Sequence, residues 1–223
     1  MNAFLYDQAK SIRISTDGFS IFKKEGDKKN VKKEFFNVVL SMLPQHAAEF
    51  LNLTPEETLN VIVNTTVPIL IPKPFFAEDH VREYLQIQFN ISTQDHPFID
   101  EIEDYYAVYF LTDEVMNNLK RLNTPFRPIH QATLLHNHWK AAENRPHSVA
   151  ILCVNEKNFD IILLKNDKLQ LINTYTYSEN TDILYYLLNI TKQFEMEMSE
   201  VHLQLIQNQS KETAILLRKF FPN

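Results

Sequence analysis

Four places in the chain hold residues whose types and spacing could support chemistry. The first is Asp17-Gly18, set between Ser11-Ile12-Arg13-Ile14 and Phe19-Ser20-Ile21-Phe22. An Asp-Gly pair between two such runs predicts a β-hairpin with a tight primed turn, because glycine accepts positive φ. The second is the acidic stretch Asp95, Asp100, Glu101, Glu103 and Asp104. Clustered carboxylates suit a divalent cation, but this spacing matches no EF-hand loop and provides no glycine for its turn. The stretch therefore reads as a solvated loop or helix face. The third is His136-Asn137-His138-Trp139. Helical positions two apart point about 200° from each other, so the two imidazoles do not converge and read as surface histidines. The fourth is the single cysteine, Cys153, inside the apolar run 149–154. A nucleophilic thiol needs a partner base; the run instead predicts a buried structural thiol.

Counting narrows the chemistry further. The chain has 223 residues and 2 glycines, Gly18 and Gly26, where average composition would give roughly 16. A dinucleotide fingerprint needs three glycines within six residues, and a Walker A loop needs two glycines five apart. Neither can be written with this pair, and no Gly-x-Ser-x-Gly nucleophile elbow exists. The balance of 22 basic and 28 acidic side chains, net charge -6, argues against a general nucleic-acid binder. The basic cluster Lys23, Lys24, Lys28, Lys29, Lys32 and Lys33 reads as the solvated end of a hairpin. One cysteine excludes an internal disulfide framework. The stretch Met1 to Asp7 lacks the apolar core of a signal peptide, and no run approaches ~18 apolar residues. A soluble cytoplasmic protein without membrane insertion is the expectation.

The elements that would position these residues follow from periodicity. After the hairpin over 10–24, Val31, Phe35, Val38, Val39 and Met42 recur at helical spacing and predict a helical insertion over about 31–53, interrupted by Pro44. Thr54-Pro55-Glu56-Glu57 has the form of a capping box on a very short helix. Strands are expected at 61–63 and 67–71, and a helix over 75–88. Residues 105–111 read as a strand, 112–122 as a helix capped by Thr112, 126–129 as a strand and 131–142 as a helix. Three strands (147–154, 159–165, 168–177), a helix (179–193), a strand (200–206) and a helix (210–220) complete the chain.

Two hairpins repeat each other. Ser11-Ile12-Arg13-Ile14 with Phe19-Ser20-Ile21-Phe22 and Lys24 is echoed by Ser148-Val149-Ala150-Ile151 with Phe159-Asp160-Ile161-Ile162 and Lys165. The order of elements after each is also alike. Two related α/β halves, 1–144 and 145–223, would leave a cleft between them, a common place for a ligand. This order resembles the actin-like ATPase superfold of actin, sugar kinases and chaperone ATPases. The wording of the chain is similar to an uncharacterised Bacteroidetes domain-of-unknown-function family within it. The similarity rests on Leu5 with residues 11–20, on Asn123-Thr124-Pro125 with His130-Gln131-Ala132-Thr133, on Phe159-Asp160-Ile161-Ile162 with residues 172–177, and on residues 182–188. The second half lacks that superfold's final strand and helix, as in a shortened member or a truncated form.

The resemblance implies where a nucleotide would lie. Active members hold the phosphates between two hairpin turns. The Asp of the first turn helps hold hydrated Mg²⁺, and here that turn is Asp17-Gly18. The second maps to Asn155-Glu156-Lys157-Asn158, which has no glycine and brings Glu156 toward the place of the phosphates. The adenosine loop, glycine-paired in active members, maps to Gln207-Asn208-Gln209-Ser210. Asp17, Gly18, Asn208 and Ser210 are therefore the candidate residues of a degenerate cleft. No catalytic residue, metal or cofactor is assigned. The expected function is a non-catalytic actin-like domain that serves as a protein-interaction scaffold for an unknown protein partner, without nucleic acid. The alternative is a divergent ATPase or phosphotransferase that uses the cleft.

Overall fold

The structure, a computed structural model, describes residues 10–25, 29–206 and 211–221. The chain divides into two compact units, Ala3–Asn137 and His138–Asn223. The first unit holds a five-stranded sheet. Its strands are β1 (Lys10–Ser15), β2 (Gly18–Glu25), β3 (Lys29–Phe36), β4 (Leu59–Asn64) and β8 (Phe126–His130). They run in the order β3-β2-β1-β4-β8. A three-stranded sheet, β5-β7-β6, is made from β5 (Ile69–Pro72), β6 (His96–Ile102) and β7 (Tyr105–Leu111). The helices are α1 (Leu43–Leu51), α2 (Val81–Gln86), α3 (Asp113–Lys120) and α4 (Gln131–Ala141), the last of which contains the boundary between the units. In the second unit β9 (Val149–Val154), β10 (Asn158–Lys165), β11 (Lys168–Thr176) and β12 (His202–Ile206) form a sheet of order β11-β10-β9-β12, accompanied by α5 (Asn180–Gln193) and α6 (Lys211–Arg218).

The repeat read from the hairpins is a repeat of topology. β1 pairs antiparallel with β2 and parallel with β4. β9 pairs antiparallel with β10 and parallel with β12. The first sheet continues to a fifth strand, β8, parallel to β4; the second has no described strand beyond β12. Each sheet packs one face on its own core. In the first unit Ile12, Ile14, Phe19, Ile21, Val61 and Val63 meet α1, α3 and Tyr109 and Leu111 of β7. In the second, Ala150, Leu152, Val154, Phe159, Ile161 and Leu163 meet Ile183, Leu187 and Ile190 of α5 and Leu217 of α6.

The expected helical insertion over 31–53 is corrected: its first part is strand β3. Val31 and Phe35, four residues apart, both pack on the core, and that spacing satisfies the strand period of 2 as well as the helix period of 3.6. Continuous antiparallel pairing with β2, from Gly18↔Phe36 to Glu25↔Lys29, makes it a strand, with Lys33 between Val31 and Phe35 on one face. Lys33 lies along Phe50 with its ammonium 4.9 Å from the ring centre, its stem covering apolar surface. β3 is the edge of its sheet, where lysines discourage further strand pairing. Pro44 does not interrupt a helix. It sits in the first turn of α1, where a missing N–H has no consequence.

The acidic stretch is corrected in its middle: Asp100 and Glu101 lie in strand β6, while Asp95 precedes it and Glu103 and Asp104 make the turn to β7. Phe98, Asp100 and Ile102 alternate with outward Ile99 and Glu101. A carboxylate on the inner face of the strand hid the period of 2. Between 75 and 88 the helix is shorter than expected, with separate 3-10 turns at 73–75 and 78–80 before α2. Thr54–Glu57 forms a turn whose Glu57 carboxylate accepts from Thr54 N at 3.0 Å and from Lys10 Nζ at 2.7 Å. These bonds, the lysine's foremost, draw its carboxyl below the usual range. Among the described residues no helix is long and apolar enough to cross a membrane, and no three His, Cys, Asp or Glu side chains gather as metal ligands. Cys153 is buried.

Candidate functional site

The first candidate turn differs from expectation in one respect. Ser15 pairs with Gly18, so the two turn residues are Thr16 and Asp17, and Gly18 opens β2. Neither turn residue has positive φ, while Gly18 has φ of 142°. The glycine answers to β3. Gly18 pairs with Phe36, and a Cβ at Gly18 would overlap the Phe35 carbonyl oxygen outright. That Cβ would also stand 3.1 Å from the Phe35 carbonyl carbon and 3.3 Å from Phe36 Cα. Asp17 is held locally: its Oδ1 accepts from Ser15 Oγ at 2.7 Å, and its carbonyl accepts from Asn37 N at 2.9 Å.

The second candidate turn joins β9 to β10 and is closed by its own groups. Asn155 N donates to Asn158 O at 2.9 Å, and Asn155 Nδ2 donates to Asn158 Oδ1 at 2.8 Å. Tyr177 reaches in from the end of β11. Its hydroxyl donates to Asn155 O, and its N–H donates to Lys157 O at 3.1 Å. Burial, reinforced by the Glu156 carboxylate, raises the pKa of the Tyr177 hydroxyl and keeps it a donor at neutral pH. Asp160, two residues beyond Asn158 in β10, accepts from Thr174 Oγ1 at 2.7 Å. A phosphate cradle needs inward-facing amides on closely approaching backbone. Here the turn has a committed amide, bonded side chains and carboxylates. Asn208 and Ser210 lie outside the described residues.

The motif around His130 makes a polar network that sequence reasoning did not assign. Arg13 on β1 is 2% exposed, and its Nε donates to Oε1 of Gln131, the first residue of α4. His130 donates from Nε2 to Thr66 O at 2.8 Å and accepts from Ala132 N on Nδ1 at 3.1 Å, which fixes the neutral tautomer. Asp100 accepts from His130 N at 2.7 Å and from Tyr109 OH at 3.2 Å. Burial raises the Asp100 carboxyl above its usual range, and burial next to this carboxylate raises the Tyr109 hydroxyl as well. His136 is not a surface histidine: it is 1% exposed and lies 2.9 Å from Glu103 Oε1. Only His138 of that pair is exposed. The preceding block is also structural. Asn123 takes left-handed φ of 52°, and Pro125 O accepts from Leu59 N at 2.8 Å, which registers β8 on β4. An arginine between two core-facing isoleucines, with a Gln at the start of a later helix, was the available signal, and the hairpin reading passed over it.

The Arg13–Gln131 bond ties β1 to the start of α4, and the Asp100 bonds tie β6 and β7 to the end of β8. The comparisons agree on the architecture. The chain is 20% identical to a Bacteroides thetaiotaomicron protein described as having an actin-like ATPase fold and unknown function. That match has a TM-score of 0.77 and covers 100% of this chain and 92% of that one. It also matches a structure titled PilM-PilN type IV pilus biogenesis complex, at 14% identity and a TM-score of 0.59, over 96% of this chain and 86% of that one. Comparison with functionally curated proteins finds no significant match. Residues 7–223 fit the family described as protein of unknown function (DUF3822); the chain belongs to that family and has the actin-like ATPase fold.

Proposed function

We propose that the chain is a cytoplasmic, non-catalytic actin-like domain, built of halves 1–144 and 145–223, that works as a protein-interaction scaffold. The observation that carries this reading is the turn Asn155–Asn158, closed by Asn155, Asn158 and Tyr177 where an active member would need open amides. The first turn supports it, because Gly18 is required by the approach of β3 and Asp17 serves Ser15 and Asn37. The PilM relative is known in a complex with another protein, and an analogous role here needs no bound nucleotide. The partner is a protein, not a nucleic acid. The test is thermal unfolding with millimolar Mg-ATP. A nucleotide at 100 times its Kd would stabilise the fold by about 2.7 kcal/mol, a rise of about 5–11 °C for a chain of this size. The expected result is no rise. A rise of that size, abolished by Asp17→Asn, would overturn the scaffold reading in favour of a divergent ATPase or phosphotransferase.

A further inference from the structure

The second sheet ends on an open edge, and a cavity runs along it. β12 pairs with β9 alone among the described strands. The corresponding side of β4 in the first sheet is occupied by β8. The cavity, about 520 Å³, is lined by four consecutive residues of β12, His202, Leu203, Gln204 and Leu205. A cavity over one face of a strand would be lined by alternate residues. Four in succession place it along the strand's edge. His202 N donates to Ser148 O, so His202, Gln204 and Ile206 direct their backbone groups toward β9. The N–H and C=O of one strand residue point the same way and alternate along the chain, so Leu203 and Leu205 turn two donors and two acceptors outward.

The charge at this edge has one sign. Arg145 and Arg218 line the cavity with His138, and no carboxylate does, although the chain as a whole carries a net charge of -6. Arg145 stacks on Trp139, its guanidinium carbon 5.0 Å from the ring centre. Its Nε lies 3.6 Å from Asp167. Arg218 is exposed and has no ion-pair or hydrogen-bond partner among the described residues. Two copies pairing β12 to β12 would bring these arginines together, so the edge disfavours itself as a partner and favours an acidic one.

We propose that an extended acidic segment of a partner protein adds to the second sheet as a fifth strand along β12. Its backbone pairs with Leu203 and Leu205, and its carboxylates meet Arg218 and Arg145. This is strand addition, in which main-chain bonds give affinity and flanking side chains give selectivity. It rests on the scaffold reading and names the site and the chemistry of the partner.

The test uses the full chain and an array of heptapeptides that alternate Val or Thr with Glu, against a matched array with Lys in place of Glu. The expected result is binding of Glu peptides only, weakened at least tenfold by Arg218→Glu and reduced by raised salt. Amide exchange at Leu203 and Leu205 should slow on binding. Leu205→Pro removes one outward N–H at an edge position that tolerates proline and should also weaken binding; circular dichroism confirms that each variant is folded. No binding by Glu peptides, binding indifferent to Arg218→Glu, or a dimer by sedimentation that protects the same amides would each overturn the proposal. Failure of the parent reading looks different: it is the Mg-ATP shift described above. A partner purified from lysate that still binds Arg218→Glu and Leu205→Pro would overturn this site and leave the scaffold standing.

Discussion

Gly18→Ala tests whether the glycine of the first turn belongs to the sheet or to a ligand. Two effects add. An L-residue at φ of 142° is held in sparsely populated backbone space, at about 1–3 kcal/mol. The new Cβ also collides with main chain of β3, overlapping the Phe35 carbonyl and standing 3.3 Å from Phe36 Cα. Backbone cannot swing aside as a flexible side chain can, so β3 must shift, at about 1–3 kcal/mol by analogy with overpacked cores. The sum is about 2–6 kcal/mol. At about 2–4 °C per kcal/mol for a chain of this length, the melting point should fall by about 4–24 °C. Urea unfolding followed by circular dichroism measures the first figure and a thermal scan the second. Hydrogen exchange should locate the damage in 29–36. Asp17→Asn is the control: Asn can accept from Ser15 Oγ as Asp17 does, and the change should stay within about 0.5 kcal/mol, the usual surface range. A Gly18→Ala protein as stable as wild type, with unaltered exchange in β3, would refute the argument and free the glycine for a ligand role.

Two further outcomes follow from the network around His130. Arg13→Met removes the donor to Gln131 and leaves a buried amide oxygen without that partner, which should destabilise the fold by about 1–3 kcal/mol, read by urea unfolding. Asp100 has a raised pKa in the folded state, so its folded form binds a proton more tightly than the unfolded chain does. Wild type should therefore gain stability relative to Asp100→Asn as pH falls through the raised folded value. The gain is complete below the unfolded value of about 3.9. A difference between the two proteins that is flat, or that runs the other way, would show that burial does not dominate at Asp100.

Much of the fold was legible because the chain states its periods plainly where one face is buried. β9, β10 and α5 carry runs long enough to admit one reading, and Thr112 caps α3 by accepting from Val115 N. Legibility failed where a charged residue took an inward place or where one spacing fits two periods. Asp100 on the inner face of β6, and Arg13 buried on the face of β1 opposite Ile12 and Ile14, have partners distant in sequence, at His130 and Gln131, and no local pattern announces such pairs. Val31 and Phe35 fit strand and helix alike. At the turns, composition located Asp17-Gly18 correctly in the hairpin but not which two residues make the turn. That was set by the register with β3, a strand that the sequence reading had made helical.

The scarcity of glycine carries a physical meaning that the structure sharpens. Left-handed backbone is not scarce in this chain: Asn37, Asn52, Asn123, Asn166 and Asp167 all adopt positive φ, as do Glu103 and Glu195. Asn and Asp tolerate that region and bond locally, so turns and helix ends are served without glycine. What Asn cannot supply is close approach, since its Cβ occupies the space that another backbone or a phosphate would need. Gly18, the glycine among the described residues, stands where such approach is demanded, by β3. An anion cradle of the actin-like kind needs conformation and closeness together, and at Asn155–Asn158 neither is left to a ligand, because the turn's φ values are all negative and its space is filled by Asn155, Asn158 and Tyr177. Building an anion cradle there would require removing those side chains as well as introducing glycine. The edge of β12 requires no such rebuilding: Leu203 and Leu205 turn backbone groups away from β9, and Arg218 has no ion-pair partner among the described residues.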